Sequence, residues 1–267
     1  MVIIKNCLKL IILGNLFAIS IVQAQSRFYM VRRSEPFFQR GYIRFLHLGD
    51  SQSYGTFGRK LNEFLSGQRN AVATTVARCG STPATFVEGD RYTCGHQDIN
   101  YRGEREHGRS HGPNGQPDLI SLIEELNPTV IIVQLGGNIE NITRREGRRQ
   151  ISHMVDTIRR SGKSCFWIGA PTGWARDQRR HREVYEDIRE LAGPVGEIFD
   201  SRRVTSYPRG TGDGRHIDQI RRDQLMRKGI CRVDCRSGRQ RATDWAHDVS
   251  KFIFRRIDRA ANLYSQL

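Results

Sequence analysis

The sequence predicts an α/β domain, a doubly wound parallel sheet of about five strands with helices on both faces. Three observations carry that expectation. Short apolar or β-branched runs alternate five times with stretches of helical periodicity. The run Thr129-Val130-Ile131-Ile132-Val133-Gln134-Leu135 is apolar at both alternating sets of positions, as a strand covered on both faces must be. Polar, glycine-bearing turns follow the strands, and in such sheets ligands lie at the carboxyl ends of the strands.

In chain order, Lys5 and Lys9 precede an apolar run from Leu10 to Val22 that closes on Val22-Gln23-Ala24. Small residues at Val22 and Ala24 predict a signal peptide over 1–24, cut before Gln25. The run is short for a span of ~20 residues, so no stable membrane span is expected after cleavage; an uncleaved anchor is the alternative. The first strand covers Tyr42 to Leu48 and runs into Gly49-Asp50-Ser51. Phe57, Leu61, Phe64 and Leu65 then recur at helical spacing until Gly67. Ala71 to Ala77 forms the second strand, and Thr82 to Gln116 reads as a long polar, Gly-rich loop. A short helix from Pro117 to Leu126 leads into the buried third strand. Arg144 to Ser161 is amphipathic and helical, Ser164 to Ala170 is a strand, Arg176 to Leu191 a charged helix and Val195 to Phe199 the fifth strand. After Thr211-Gly212-Asp213-Gly214-Arg215-His216 comes an irregular segment, an elaboration over about 217–241, and a last helix through Trp245, Phe252 and Ile253. Residues 25–267 are therefore expected to form a single domain.

Charge and cysteine usage narrow the partners. Of 267 residues, 43 are basic and 28 acidic, a net charge of +15, and 37 of the basic residues are Arg. Arg forks grip carboxylates and phosphates bidentately, so anionic partners are favoured. Export makes cell-envelope polymers, rather than nucleic acid, the expected partner. Mean hydropathy of −0.56 excludes a polytopic membrane protein. Cys79 and Cys94 flank one loop and Cys231 and Cys235 a tight turn, spacings that suit two disulfides in an oxidising compartment. Cys165, in an apolar run, is left as the free thiol. Zinc-ligand spacing is missing, so neither metal nor cofactor is expected.

Four polar clusters follow strands: Gly49-Asp50-Ser51, Gly80, Gly136-Gly137-Asn138, and Asp213-Gly214-Arg215-His216. Together they hold the parts that acyl transfer needs. Ser51 is the candidate nucleophile, His216 the base and Asp213 the group that orients the imidazole. The backbone N–H groups of Ser51 and Gly80 and the Asn138 amide are candidate donors to an oxyanion. Ser53 is a rival nucleophile, and Asp244-Trp245-Ala246-His247 is a second Asp-x-x-His that falls on a packing face of the last helix.

In this order the four clusters resemble the conserved blocks of the SGNH, or GDSL-type, hydrolases, over about residues 43 to 216. The resemblance implies a flavodoxin-like sandwich and Ser–His–Asp catalysis, with Asp and His on one short loop. The expectation is an exported serine esterase that removes short acyl groups, above all acetyl, from carbohydrate such as an O-acetylated envelope glycan. Arg215, Tyr92 and Tyr101 are expected at the substrate rim. The alternatives are a lysophospholipase or arylesterase, a sugar O-acyltransferase on the same residues, and a wall-binding protein with an inactive site. Two dozen residues separate His216 from the last helix, where the family runs almost directly into it.

Overall fold

The computed structural model describes residues 41–108 and 118–264. The expected signal peptide, 1–24, lies outside the described residues, as does the end of the 82–116 segment. The sheet has seven strands: β1 (Ile43–Gly49), β2 (Ala71–Arg78), β3 (His96–Ile99), β4 (Arg105–Gly108), β5 (Val130–Gln134), β6 (Ser164–Ile168) and β7 (Gly196–Phe199). Their spatial order is β4-β3-β2-β1-β5-β6-β7. The five expected strands are all present and pair in parallel.

The count of about five is corrected by β3 and β4, an antiparallel hairpin added to the β2 edge. The polar stretch read as a long loop contains this hairpin and a short helix. Its strands read His-Gln-Asp-Ile and Arg-Glu-His-Gly, at the margin of the sheet, so they lack the apolar run that marks a central strand.

Helices cover both faces: α1 (Thr56–Ser66), α2 (Pro83–Val87), α3 (Leu119–Leu126), α4 (Arg144–Arg160), α5 (Gln178–Ala192), α6 (Arg222–Arg227) and α7 (Gly238–Tyr264). Alternation along the central strands divides the core. Phe45, Val130, Ile132 and Phe166 pack with Phe57, Leu61 and Leu65 of α1 and Trp245, Val249 and Ile253 of α7. Leu46, Leu48, Ile131, Val133 and Trp167 point the other way, onto Leu119 and Leu122 of α3, Ile151 and Met154 of α4, and Val184 and Ile188 of α5. The Trp245 ring stacks on Phe57 with centroids 3.7 Å apart, and its indole N–H donates to Ser201 Oγ at 2.9 Å. The second Asp-x-x-His is thereby explained by packing, with Asp244 held by Arg236 and the His247 ring against Phe64.

The segment expected to be irregular over 217–241 contains α6 and two short 3-10 turns. Disulfides join Cys79 to Cys94 and Cys231 to Cys235. Cys165 is free and buried, and burial pushes its thiol up to about 12. No described helix is long and apolar enough to cross a membrane.

Candidate active site

A buried polar chain forms the floor of the site. Asn62 of α1 donates to Thr75 Oγ1 of β2 at 3.2 Å, and Thr75 Oγ1 lies 3.3 Å from His47 Nδ1 on β1. His47 Nε2 is 3.0 Å from Ser53 Oγ, which donates to Gln134 Oε1 at the end of β5 at 2.8 Å. Each hydroxyl has one proton, so one assignment serves every link: Thr75 donates to Nδ1, and Nε2–H donates to Ser53. Burial drives the His47 imidazole down to about 3, in accord with this neutral tautomer. Ser53, the rival nucleophile, is fully buried in the chain and structural.

Above this floor, the turn after β1 presents Ser51. His216 Nε2 lies 2.8 Å from Ser51 Oγ, and His216 Nδ1 lies 2.5 Å from Asp213 Oδ2. Asp213 Oδ1 accepts the backbone N–H groups of Arg215 and His216 at 2.9 and 2.7 Å. Burial alone would raise the Asp213 carboxyl, but donation from His216 and from these two N–H groups outweighs it and holds the group down at about 2. The Asp213 and His216 side chains keep 42% and 32% of their exposure, so the site is open to solvent. Gly214, between them, has φ +77°, and a Cβ there would run into Trp174 and Ala175.

The expected oxyanion donors converge from three strand ends. Gly80, just after β2, has φ +83°, and a Cβ would meet Thr93. Among the described residues the N–H groups of Ser51 and Gly80 donate to no other protein group. One proton of the Asn138 amide is held by the Ser81 carbonyl at 2.8 Å, which leaves the other for a ligand.

Several residues of this arrangement escaped the sequence reading. Tyr207 Oη stands 3.0 Å from Asp213 Oδ1 and accepts the Gly214 N–H at 3.0 Å, pinning the acid loop. Trp174, 42% exposed, is fixed on that loop by a bond from its indole N–H to the Thr211 carbonyl. The buried Arg176 guanidinium bonds Glu140 Oε1 at 2.9 Å, and His181 Nδ1 reaches the same oxygen at 2.7 Å. Arg176 also faces Asp50, the buried neighbour of Ser51. Burial pushes the Asp50 carboxyl up, and the Gln52 N–H and then Arg176 and His216 act against that shift.

The expected rim is corrected in part. Tyr92 and Tyr101 are 4% and 9% exposed, folded inward by the hairpin and its disulfide, so neither offers a face to substrate. The Arg78 guanidinium lies over the Tyr92 ring. Arg215 is exposed beside His216, and its carbonyl accepts the Gln52 amide at 2.7 Å. Among the described residues no three His, Cys, Asp or Glu side chains group to hold a metal ion.

No protein-family model matches the chain, and no curated protein sequence matches it. Solved structures resemble it at low identity. A DUF4886 family protein from Bacteroides uniformis is 13% identical, with a TM-score of 0.42 over 78% of this chain and 94% of that one. A GDSL-like lipase from Bacteroides thetaiotaomicron is 11% identical, with a TM-score of 0.42 over 72% and 89%. The psychrotrophic esterase EstA from Pseudoalteromonas sp. is 13% identical, with a TM-score of 0.39 over 60% and 79%.

Proposed function

We propose that this protein is an exported serine esterase that removes short acyl groups from carbohydrate, with an O-acetylated envelope glycan as its substrate. The observation that carries the reading is the unbroken line Ser51 Oγ, His216, Asp213, with bonds of 2.8 and 2.5 Å. Ser51 Oγ attacks the ester carbonyl carbon as His216 Nε2 takes its proton. The carbonyl oxygen becomes an oxyanion facing the Ser51 and Gly80 N–H groups and the free Asn138 amide proton, each such donor being worth roughly 3 kcal/mol. Collapse expels the sugar hydroxyl, which receives the proton from His216. Water activated by the same imidazole then cleaves the acyl-enzyme to a carboxylic acid and restores Ser51.

Two features favour carbohydrate. The exposed Trp174 ring is a fixed apolar platform beside the acid loop, of the kind on which sugar faces stack. Arg215, exposed on the acid loop beside His216, has donors for hydroxyls or carboxylates. The two disulfides support an oxidising compartment outside the cytoplasm.

The test is hydrolysis of p-nitrophenyl acetate, butyrate and octanoate by the protein and by Ser51→Ala. Acetate should be preferred, and kcat should fall by at least about 10³-fold in the variant, with loss of fluorophosphonate labelling. Turnover that survives Ser51→Ala would refute the assignment, and a preference for octanoate would move the substrate to lipid.

A further inference from the structure

Beside the nucleophile turn lies a cavity of about 310 Å³ that the acyl-transfer chemistry does not use. Tyr54, Arg59, Gln97, Asp218, Gln219 and Arg239 line it. Its walls are the segments that carry the chemistry. Tyr54 follows Ser51 by three residues, Arg59 sits in the first turns of α1, Asp218 and Gln219 come just after His216, and Arg239 opens α7. The cavity thus shares its walls with the turn that carries Ser51 and the loop that carries His216.

The lining decides what that group is. No aliphatic side chain contributes, so the cavity is unsuited to an acyl chain. The charged groups stand open. Elsewhere Arg side chains close on carboxylates, as Arg148 does on Asp187 and Glu190 at 2.7 and 2.6 Å, and Arg176 on Glu140 at 2.9 Å. In the cavity, Arg59 bonds only the Thr56 hydroxyl, and Arg239 has no ion-pair partner among the described residues. Asp218 lies against Gly55 and pairs with neither Arg. Two guanidiniums with a carboxylate and amides match the two needs of an acidic sugar, a grip on its carboxylate and acceptors for its hydroxyls.

We infer that this cavity is a subsite for a carboxylate-bearing sugar of the glycan, its carboxylate held by Arg59 and Arg239 and its hydroxyls by Asp218 and Gln219. The inference rests on Ser51 being the esterolytic residue, since that makes the cavity part of a substrate path.

Binding and hydrolysis separate the two readings. Trigalacturonate and neutral galactotriose are titrated calorimetrically into the Ser51→Ala protein at low and high NaCl. Trigalacturonate should bind at least tenfold tighter at low salt. Arg239→Gln and Arg59→Gln, each added to that background, should shrink the ratio by about fivefold. Arg255→Gln, an exposed charge outside the cavity, should leave the ratio unchanged. Equal affinities, no binding of either sugar, or equal loss with Arg239→Gln and Arg255→Gln would overturn the subsite. Tighter binding of inorganic phosphate than of trigalacturonate would also overturn it, in favour of a phosphate site. Acetate release from acetylated trigalacturonate by the unmodified protein tests the esterase reading separately. Its absence with binding intact would overturn the esterase and spare the subsite.

Discussion

A neutral imidazole at the centre of the sheet makes stability pH-dependent in a definite direction. His47 titrates near 6.5 when exposed and at about 3 when folded. Between those values the unfolded chain binds one proton more than the folded chain, so stability falls as pH falls, by about 1.4 kcal/mol per unit. His47→Gln should therefore be less stable at pH 7 and lose less between pH 6 and pH 4, as chemical denaturation at each pH would read. A parallel slope in the variant would mean that another group governs this window. Arg176 is the second residue whose loss should be felt beyond its own contacts. Arg176→Met leaves buried Glu140 with His181 Nδ1 as its remaining partner and removes the charge facing Asp50, a change that costs about 3 kcal/mol when one partner of a buried pair is lost. The Ser51 turn should then loosen, so kcat should fall about tenfold while KM for p-nitrophenyl acetate moves little. An unchanged kcat in a folded variant would make Arg176 purely structural.

At the scale of elements, the two disulfides should differ in consequence. Cys79–Cys94 closes a separation of 15 residues and Cys231–Cys235 one of 4, so loop-closure entropy gives the first about 3 kcal/mol and the second about 2. Cys79 also immediately precedes Gly80. Replacing Cys79 and Cys94 together by Ser should lower both the denaturation midpoint and kcat, whereas the Cys231/Cys235 pair of changes should lower only the midpoint. A kcat untouched by either would detach Gly80 from oxyanion stabilisation. The same elements show what was legible in the sequence. Central strands declare themselves because both of their faces are apolar, and Ser51, Gly80, Asn138 and Asp213–His216 follow strands whose ends the topology brings together. The hairpin β3–β4 was hidden because its polar edge strands carry no apolar run, and Tyr92 and Tyr101 were misplaced with it. Tyr207, Trp174, Arg176 and His47 were silent for another reason. Their partners are set by tertiary packing, as with Arg176 and Glu140, 36 residues apart, and a His inside an apolar strand looks like a fault in the pattern until the chain from Asn62 to Gln134 is seen.

For the whole molecule the question is what the excess of Arg does. Part of it is locally cancelled: Arg144 and Arg148 of α4 meet Asp187 and Glu190 of α5, Arg149 meets Glu88 and Glu146, and Arg189 and Arg202 meet Asp200. The exposed pairs among these, such as Arg148 with Glu190 and Arg149 with Glu146, are worth about 0–1 kcal/mol each and shape the surface charge more than they hold the fold, whereas Asp187 is a buried carboxylate held between two Arg side chains. The net charge of +15, or +13 once the expected signal peptide with Lys5 and Lys9 is removed, survives them. Charges beyond the immediate contact act on an approaching polyanion over a screening length of about 8 Å at physiological salt, and they act on encounter rather than on the chemical step. Raising NaCl from about 20 mM to about 300 mM should therefore lower kcat/KM for an acetylated anionic glycan by about tenfold through KM, with kcat steady. The same change should leave p-nitrophenyl acetate within about twofold, because a neutral ester is not steered. Equal losses on both substrates would place the salt effect on the folded site itself. Loss on neither would make the Arg excess a solvated face with no part in capture, and the glycan would then be held by local contacts around Ser51 and His216 alone.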